Sequence, residues 1–103
     1  MSRYRPDRKE IIATLQAHEA ELRRRGVRHA ALFGSVARGE VRRSSDIDIL
    51  VDLDPLAPIG VFEYVGIMQY LSDLFPARVD VANRSSLKPL VRPSAERDAL
   101  YAF

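Results

Sequence analysis

From Asp46 to Leu53 the chain reads Asp-Ile-Asp-Ile-Leu-Val-Asp-Leu. Apolar residues alternating with acids over this length specify a strand, because successive side chains point to opposite faces of a sheet. Ile47, Ile49, Val51 and Leu53 then share one face, and Asp46, Asp48, Leu50 and Asp52 share the other. The same periodicity sets Asp46 and Asp48 side by side, with Cα atoms about 6.5 Å apart. Two carboxylates that close repel each other, and burying them is costly unless a cation compensates. No Lys or Arg occurs between residues 46 and 75. A pair of Mg²⁺ ions would supply the charge, since hard divalent cations take carboxylate oxygens at about 2.0–2.1 Å. Two metals about 3.5–4 Å apart can clamp both oxygens of an in-line displacement at phosphorus. Taken alone, Asp-x-Asp is equally the solvated side of a half-buried strand.

The remaining segments fall into place around that strand. A helix is expected from about Asp7 to Arg25, opened by Pro6 and an Asp7/Glu10 capping box and closed by Gly26. Ile11, Ile12, Leu15, Glu19 and Leu22 form its mostly apolar stripe. Val27 to Phe33 reads as a strand covered on both faces, ended by Gly34. Val36 to Glu40 reads as one helical turn, and Arg42, Arg43, Ser44 and Ser45 as a polar loop. Ile59 to Phe75 predicts a second long helix, ended by Pro76, and Arg78 to Ala82 a short strand carrying Asp80. Ser85 or Ser86 is expected to cap a turn before Pro89, and Ser94 a final short helix through Ala99. Leu100, Tyr101 and Phe103 are expected to pack the C-terminus down. The order predicts an α+β (α/β) fold: a small mixed sheet covered by helices mainly on one face.

With 103 residues, one domain spanning 1–103 is expected. That leaves no room for a separate substrate domain, so an acceptor's binding surface must come from a partner. The absence of cysteine excludes a disulfide scaffold, a thiolate zinc site and a cysteine nucleophile, and fits a cytoplasmic location. The charged segment Met1 to Asp7 leads into no apolar stretch, so no signal peptide is expected, and no apolar run is long enough for a membrane helix. Charge is segregated. Residues 1–45 hold eleven Lys/Arg against five Asp/Glu, whereas residues 46–75 hold six acids and no base. A nucleic-acid binder would be basic throughout its contact surface; a cationic region abutting an anionic one suits a polyphosphate held with divalent metal.

Upstream of the acidic strand stands Leu32-Phe33-Gly34-Ser35, followed by Arg38 and Gly39. Glycine allows close backbone approach, and a serine at a helix start offers a hydroxyl and an N–H to phosphate. Downstream, Asp80 lies between two valines; the ordinary alternative is a surface acid paired with Arg78 or Arg84. Together, Gly34-Ser35, ten intervening residues, Asp46-Ile47-Asp48 and a later strand acid resemble the signature of the DNA polymerase β-type nucleotidyltransferases. The stretches Ala31 to Glu40 and Ser44 to Val51, with the closing Glu96-Arg97-Asp98, are similar to the minimal nucleotidyltransferase (MNT) antitoxins that partner HEPN toxins.

The resemblance implies that Asp46, Asp48 and Asp80 hold two Mg²⁺ ions, that Asp80 also activates the acceptor hydroxyl, and that Gly34 and Ser35 hold the triphosphate of ATP. It implies a phosphate contact for Arg38, for which a salt bridge with Glu40 or Asp52 is the alternative. It further implies an antitoxin of a type VII-like pair that transfers AMP from ATP to a tyrosine of a HEPN ribonuclease toxin, forming a hetero-oligomer without membrane or direct nucleic-acid binding. Neutralisation by binding alone and transfer to a small-molecule acceptor stay open. Asp52 and Asp54 are read as solvated exit-loop charges, since Asp52 is about 20 Å along a strand from Asp46. Arg23 to Arg25 are read as a solvated helix end, Tyr64 and Tyr70 as packing, and His18 and His29 as too isolated for zinc.

Overall fold

The computed structural model describes residues 5–40 and 46–103. The polar loop expected at Arg42 to Ser45 lies outside them. The elements are α1 (Arg8–Ala17), α2 (Glu19–Arg24), β1 (Val27–Phe33), α3 (Gly34–Ala37), β2 (Ile47–Leu53), α4 (Val61–Asp73), β3 (Val79–Asn83), a 3₁₀ turn (Arg84–Ser86), α5 (Arg92–Asp98) and β4 (Leu100–Tyr101). The four strands form one mixed sheet in the order β3-β2-β1-β4. β1 runs antiparallel to both β2 and β4, and β2 runs parallel to β3.

The alternation in β2 decides where the core lies. Ile47, Ile49 and Val51 are fully buried on one face. They join Ala30 and Leu32 of β1, Ile11 and Leu15 of α1, Leu22 of α2, and Ile67 and Leu71 of α4 in one apolar cluster. Burying a side chain of this size is worth about 1.5–3 kcal/mol, so this face anchors three helices. The opposite face carries Asp46, Asp48, Leu50 and Asp52. Leu50, Ala31 and Ala95 of α5 are also buried but stand outside the main cluster. The expected mixed sheet, covered mainly on one face, is what the chain adopts.

The first helix is not continuous. Asp7 caps α1 by accepting from the Lys9 N–H, as its position promised, but the helix breaks at His18, with φ −104° and ψ 13°. The His18 ring leaves the helical path to bond the Tyr70 hydroxyl of α4 and meet that ring edge-on. A tertiary contact overrides local propensity there. The arginines at the end of α2 are less free than expected: Arg23 pairs with Glu19, and Arg24 and Arg25 pair with Glu21. Arg23 and Arg25 also lie over the Phe103 and Tyr70 rings.

Three details in the last quarter of the chain differ from expectation. Ser94 does not cap α5; its hydroxyl donates to the Val91 carbonyl and the helix begins at Arg92. After α5 the chain adds a short strand, β4, against β1, and Ala102 N–H donates to the Ala30 carbonyl at 2.8 Å. Asn83, one residue before the 3₁₀ turn, supplies the cap expected from Ser85 or Ser86.

Candidate active site

Pairing register brings the site together. On the acidic face Phe33 of β1 is the partner of Asp48, and Asp48 is the partner of Asp80 across the parallel β2–β3 pair. Gly34 follows Phe33 directly, with φ +75°, a conformation open mainly to glycine. A Cβ there would lie 2.3 Å from Oδ2 of Asp48. The Gly-Ser turn and the strand acid therefore pack against each other, and any side chain at position 34 would occupy the carboxylate's place. Helix α3 starts at Gly34 and places Ser35 in its first turn, two residues earlier than the sequence suggested.

Electrostatics single out Asp48. Burial pushes its carboxyl above the usual carboxylate range, the charges of Asp80 and Asp46 push it further, and Arg38 opposes them. Asp46 and Asp80 are thus electrostatic neighbours of Asp48, and Arg38 is the nearby counter-charge. The cation that the acidic segment lacks in sequence comes from across the turn.

The convergence of all three acids is looser than expected. Among the described residues, no three His, Cys, Asp or Glu side chains form a group set to hold a metal ion. Asp80 sits on an edge strand with its side chain 48% exposed, and Arg78 Nε stands 3.5 Å from its Oδ1. The ion pair named as the ordinary alternative is therefore made. The donor chemistry still suits Mg²⁺: hard carboxylate oxygens, and mutual repulsion at Asp48 that a cation would relieve.

Arg38 follows α3, its N–H donating to the Gly34 carbonyl at 3.2 Å. Its side chain pairs with Glu40, as one alternative held, and with Asp98 at 2.8 Å rather than with Asp52. Asp98 was legible only as part of a closing motif. Asp52 corrects the sequence reading: its side chain is 16% exposed and lies between Arg28 at 3.3 Å and Arg84 at 3.9 Å. Asp54 accepts from the Leu56 N–H and shapes the exit loop. A groove of about 600 Å³ between Arg23–Gly26 and the start of α4 is roomy but lies apart from the acids, so its volume does not mark the chemistry.

Residues 15–102 match the family described as Nucleotidyltransferase domain. The chain is 40% identical over 93 residues to protein adenylyltransferase MntA of Thermococcus cleftensis, covering 89% of this chain and 92% of that protein. Its fold matches a solved structure of a candidate minimal nucleotidyltransferase with a TM-score of 0.77 and 30% identity, over 92% of this chain and 95% of that one. It also matches the MNT fold in a structure of the tri-AMPylated Shewanella oneidensis HEPN toxin with its MNT antitoxin, with a TM-score of 0.61 and 17% identity, over 89% of this chain and 71% of that chain. On the sheet topology, the Gly-Ser turn packed on Asp48 and these matches, the chain is a nucleotidyltransferase of the minimal branch of that family.

Proposed function

We propose that this nucleotidyltransferase acts as an antitoxin, moving AMP from ATP onto a tyrosine of a HEPN ribonuclease toxin. The observation that carries the reading is the Asp48–Asp80 register beside a Gly34 that only a glycine can fill. The 40% identical relative bears the name protein adenylyltransferase, and the HEPN toxin in the matched complex carries AMP.

In this reading Gly34 and Ser35 seat the triphosphate through backbone and hydroxyl, and Arg38 neutralises phosphate charge. Asp46, Asp48 and Asp80 would hold Mg²⁺, which when bound offsets charge on the attacking and leaving oxygens. The acceptor hydroxyl oxygen bonds to the α-phosphorus, the bond from that phosphorus to the bridging oxygen breaks, and pyrophosphate leaves with the electron pair. The hydroxyl proton passes to the Asp80 carboxylate. Asp80 suits this role because its exposed edge position meets an acceptor arriving from outside. The chain's part is chiefly to hold the reactants in line. Leu56, Val61, Phe62 and Val65 are exposed apolar residues of the kind a protein partner covers.

The test is to incubate the chain with ATP, Mg²⁺ and a HEPN partner and weigh the partner by intact mass spectrometry. Gain of one or more AMP units, lost with Asp46→Asn/Asp48→Asn, is expected. A stable complex without mass gain would instead assign neutralisation to binding alone.

A further inference from the structure

Arg38 is reached by a carboxylate from the far end of the sequence. Oδ2 of Asp98, sixty residues away, lies 2.8 Å from Nη1 of Arg38, while Glu40, two residues on, takes Nε. The two acids differ in what they can impose. Glu40 sits on the same local segment with its side chain 63% exposed, so it moves with Arg38. Asp98 is 21% exposed and belongs to α5, which is docked on the sheet by buried Ala95. It therefore offers a fixed point outside the turn.

Nothing in α5 itself favours an acid at that position. Asp98 is the last residue of the helix, where the carbonyl ends make negative charge unfavourable. The compensating interaction is Arg38. An arginine side chain has large rotamer freedom to lose when it binds an anion, and a guanidinium already aimed by a carboxylate loses less.

We infer that Asp98 is a positioning residue for nucleotide binding: it holds the Arg38 guanidinium beside the Gly-Ser turn in the orientation that receives the triphosphate. The inference rests on Arg38 being the phosphate contact named above. It makes α5 part of the nucleotide site without touching the nucleotide.

Calorimetric titration of ATP in Mg²⁺ buffer, with no acceptor present, separates the possibilities. Asp98→Asn keeps the shape and removes the charge, and is expected to weaken ATP binding about 10-fold, the lower end of what loss of a supporting carboxylate costs at metal sites. Asp98→Glu should recover part of that loss. Glu96→Gln cuts an ion pair of the same helix without reaching Arg38, and ATP affinity should stay at the wild-type value. In an Arg38→Ala background, Asp98→Asn should have no further effect. Melting temperatures of all variants show that each is folded. Unchanged ATP affinity in Asp98→Asn, with a loss in Arg38→Ala, overturns the role of Asp98 alone. Unchanged affinity in Arg38→Ala overturns the phosphate contact as well. Equal losses in Glu96→Gln and Asp98→Asn would assign the effect to general docking of α5 and overturn the inference.

Discussion

Gly34 and Gly39 share a left-handed backbone, with φ of +75° and +80°, yet differ in surroundings. A Cβ at Gly39 meets nothing nearer than Arg8 Nη1 at 3.8 Å, whereas at Gly34 it strikes the Asp48 carboxylate. Gly39→Ala should cost about 1 kcal/mol in urea denaturation, the price of the backbone conformation alone. Gly34→Ala should cost about 1–3 kcal/mol and also abolish measurable ATP binding, since Asp48 must move. A pH effect belongs to Glu21, whose carboxyl is held down at about 2 by hydrogen bonds from Arg24 and Arg25. A depressed folded-state value gives stability that is present above the unfolded pKa and lost as pH falls through the folded one. The difference in melting temperature between wild type and Glu21→Gln should therefore be full at neutral pH, shrink below about pH 4.5, and vanish near pH 2. At this scale the sequence announced, by type and spacing, the candidate residues that the register of β1, β2 and β3 sets side by side at Asp48 and Asp80. It could not announce that Asp52 is locked between Arg28 and Arg84, because those partners lie on other strands or beyond them.

Elements were legible wherever their own pattern specified them. β1 is identical in its limits to the expected strand, and β2, α4 and β3 differ by at most two residues at either end, which is the usual uncertainty of element ends. Two features depended on partners far away in sequence. The break at His18 goes with a bond from its ring to the Tyr70 hydroxyl, and β4 is two residues long with no alternation to read. Tyr70→Phe removes that hydroxyl while keeping the ring under Arg25, and should cost about 0.5–1.5 kcal/mol in chemical denaturation. No loss would mean that the break is set by the backbone of α1 and α2 themselves.

The molecule as a whole keeps α1, α2 and α4 on one face of the sheet and the candidate site's acids on the other, and Leu56, Val61, Phe62 and Val65 form one group of exposed apolar residues at the entry to α4, with Leu90, Val91, Leu100 and Tyr101 exposed elsewhere. Phe62 is 89% exposed. Phe62→Ser should leave stability within about 0.5 kcal/mol, as for surface substitutions generally, and leave ATP binding unchanged, while weakening association with the proposed toxin partner in calorimetry. A drop in melting temperature would show instead that the ring packs within the chain. The grip on the Gly-Ser turn is also a property of the whole. Arg8 of α1 donates to the Ala37 carbonyl at 3.2 Å, and Asp98 of α5 reaches Arg38. On the ribosome these arrive at very different times. A nascent chain that has just delivered Asp80 already holds the Gly-Ser turn and all three acids, but lacks the helix whose Asp98 pairs with Arg38 and the strand that covers the free side of β1. If Asp98 aims Arg38 as inferred above, synthesis acts as a timer: nucleotide capture would follow completion of the C-terminal helix, not the appearance of the acids.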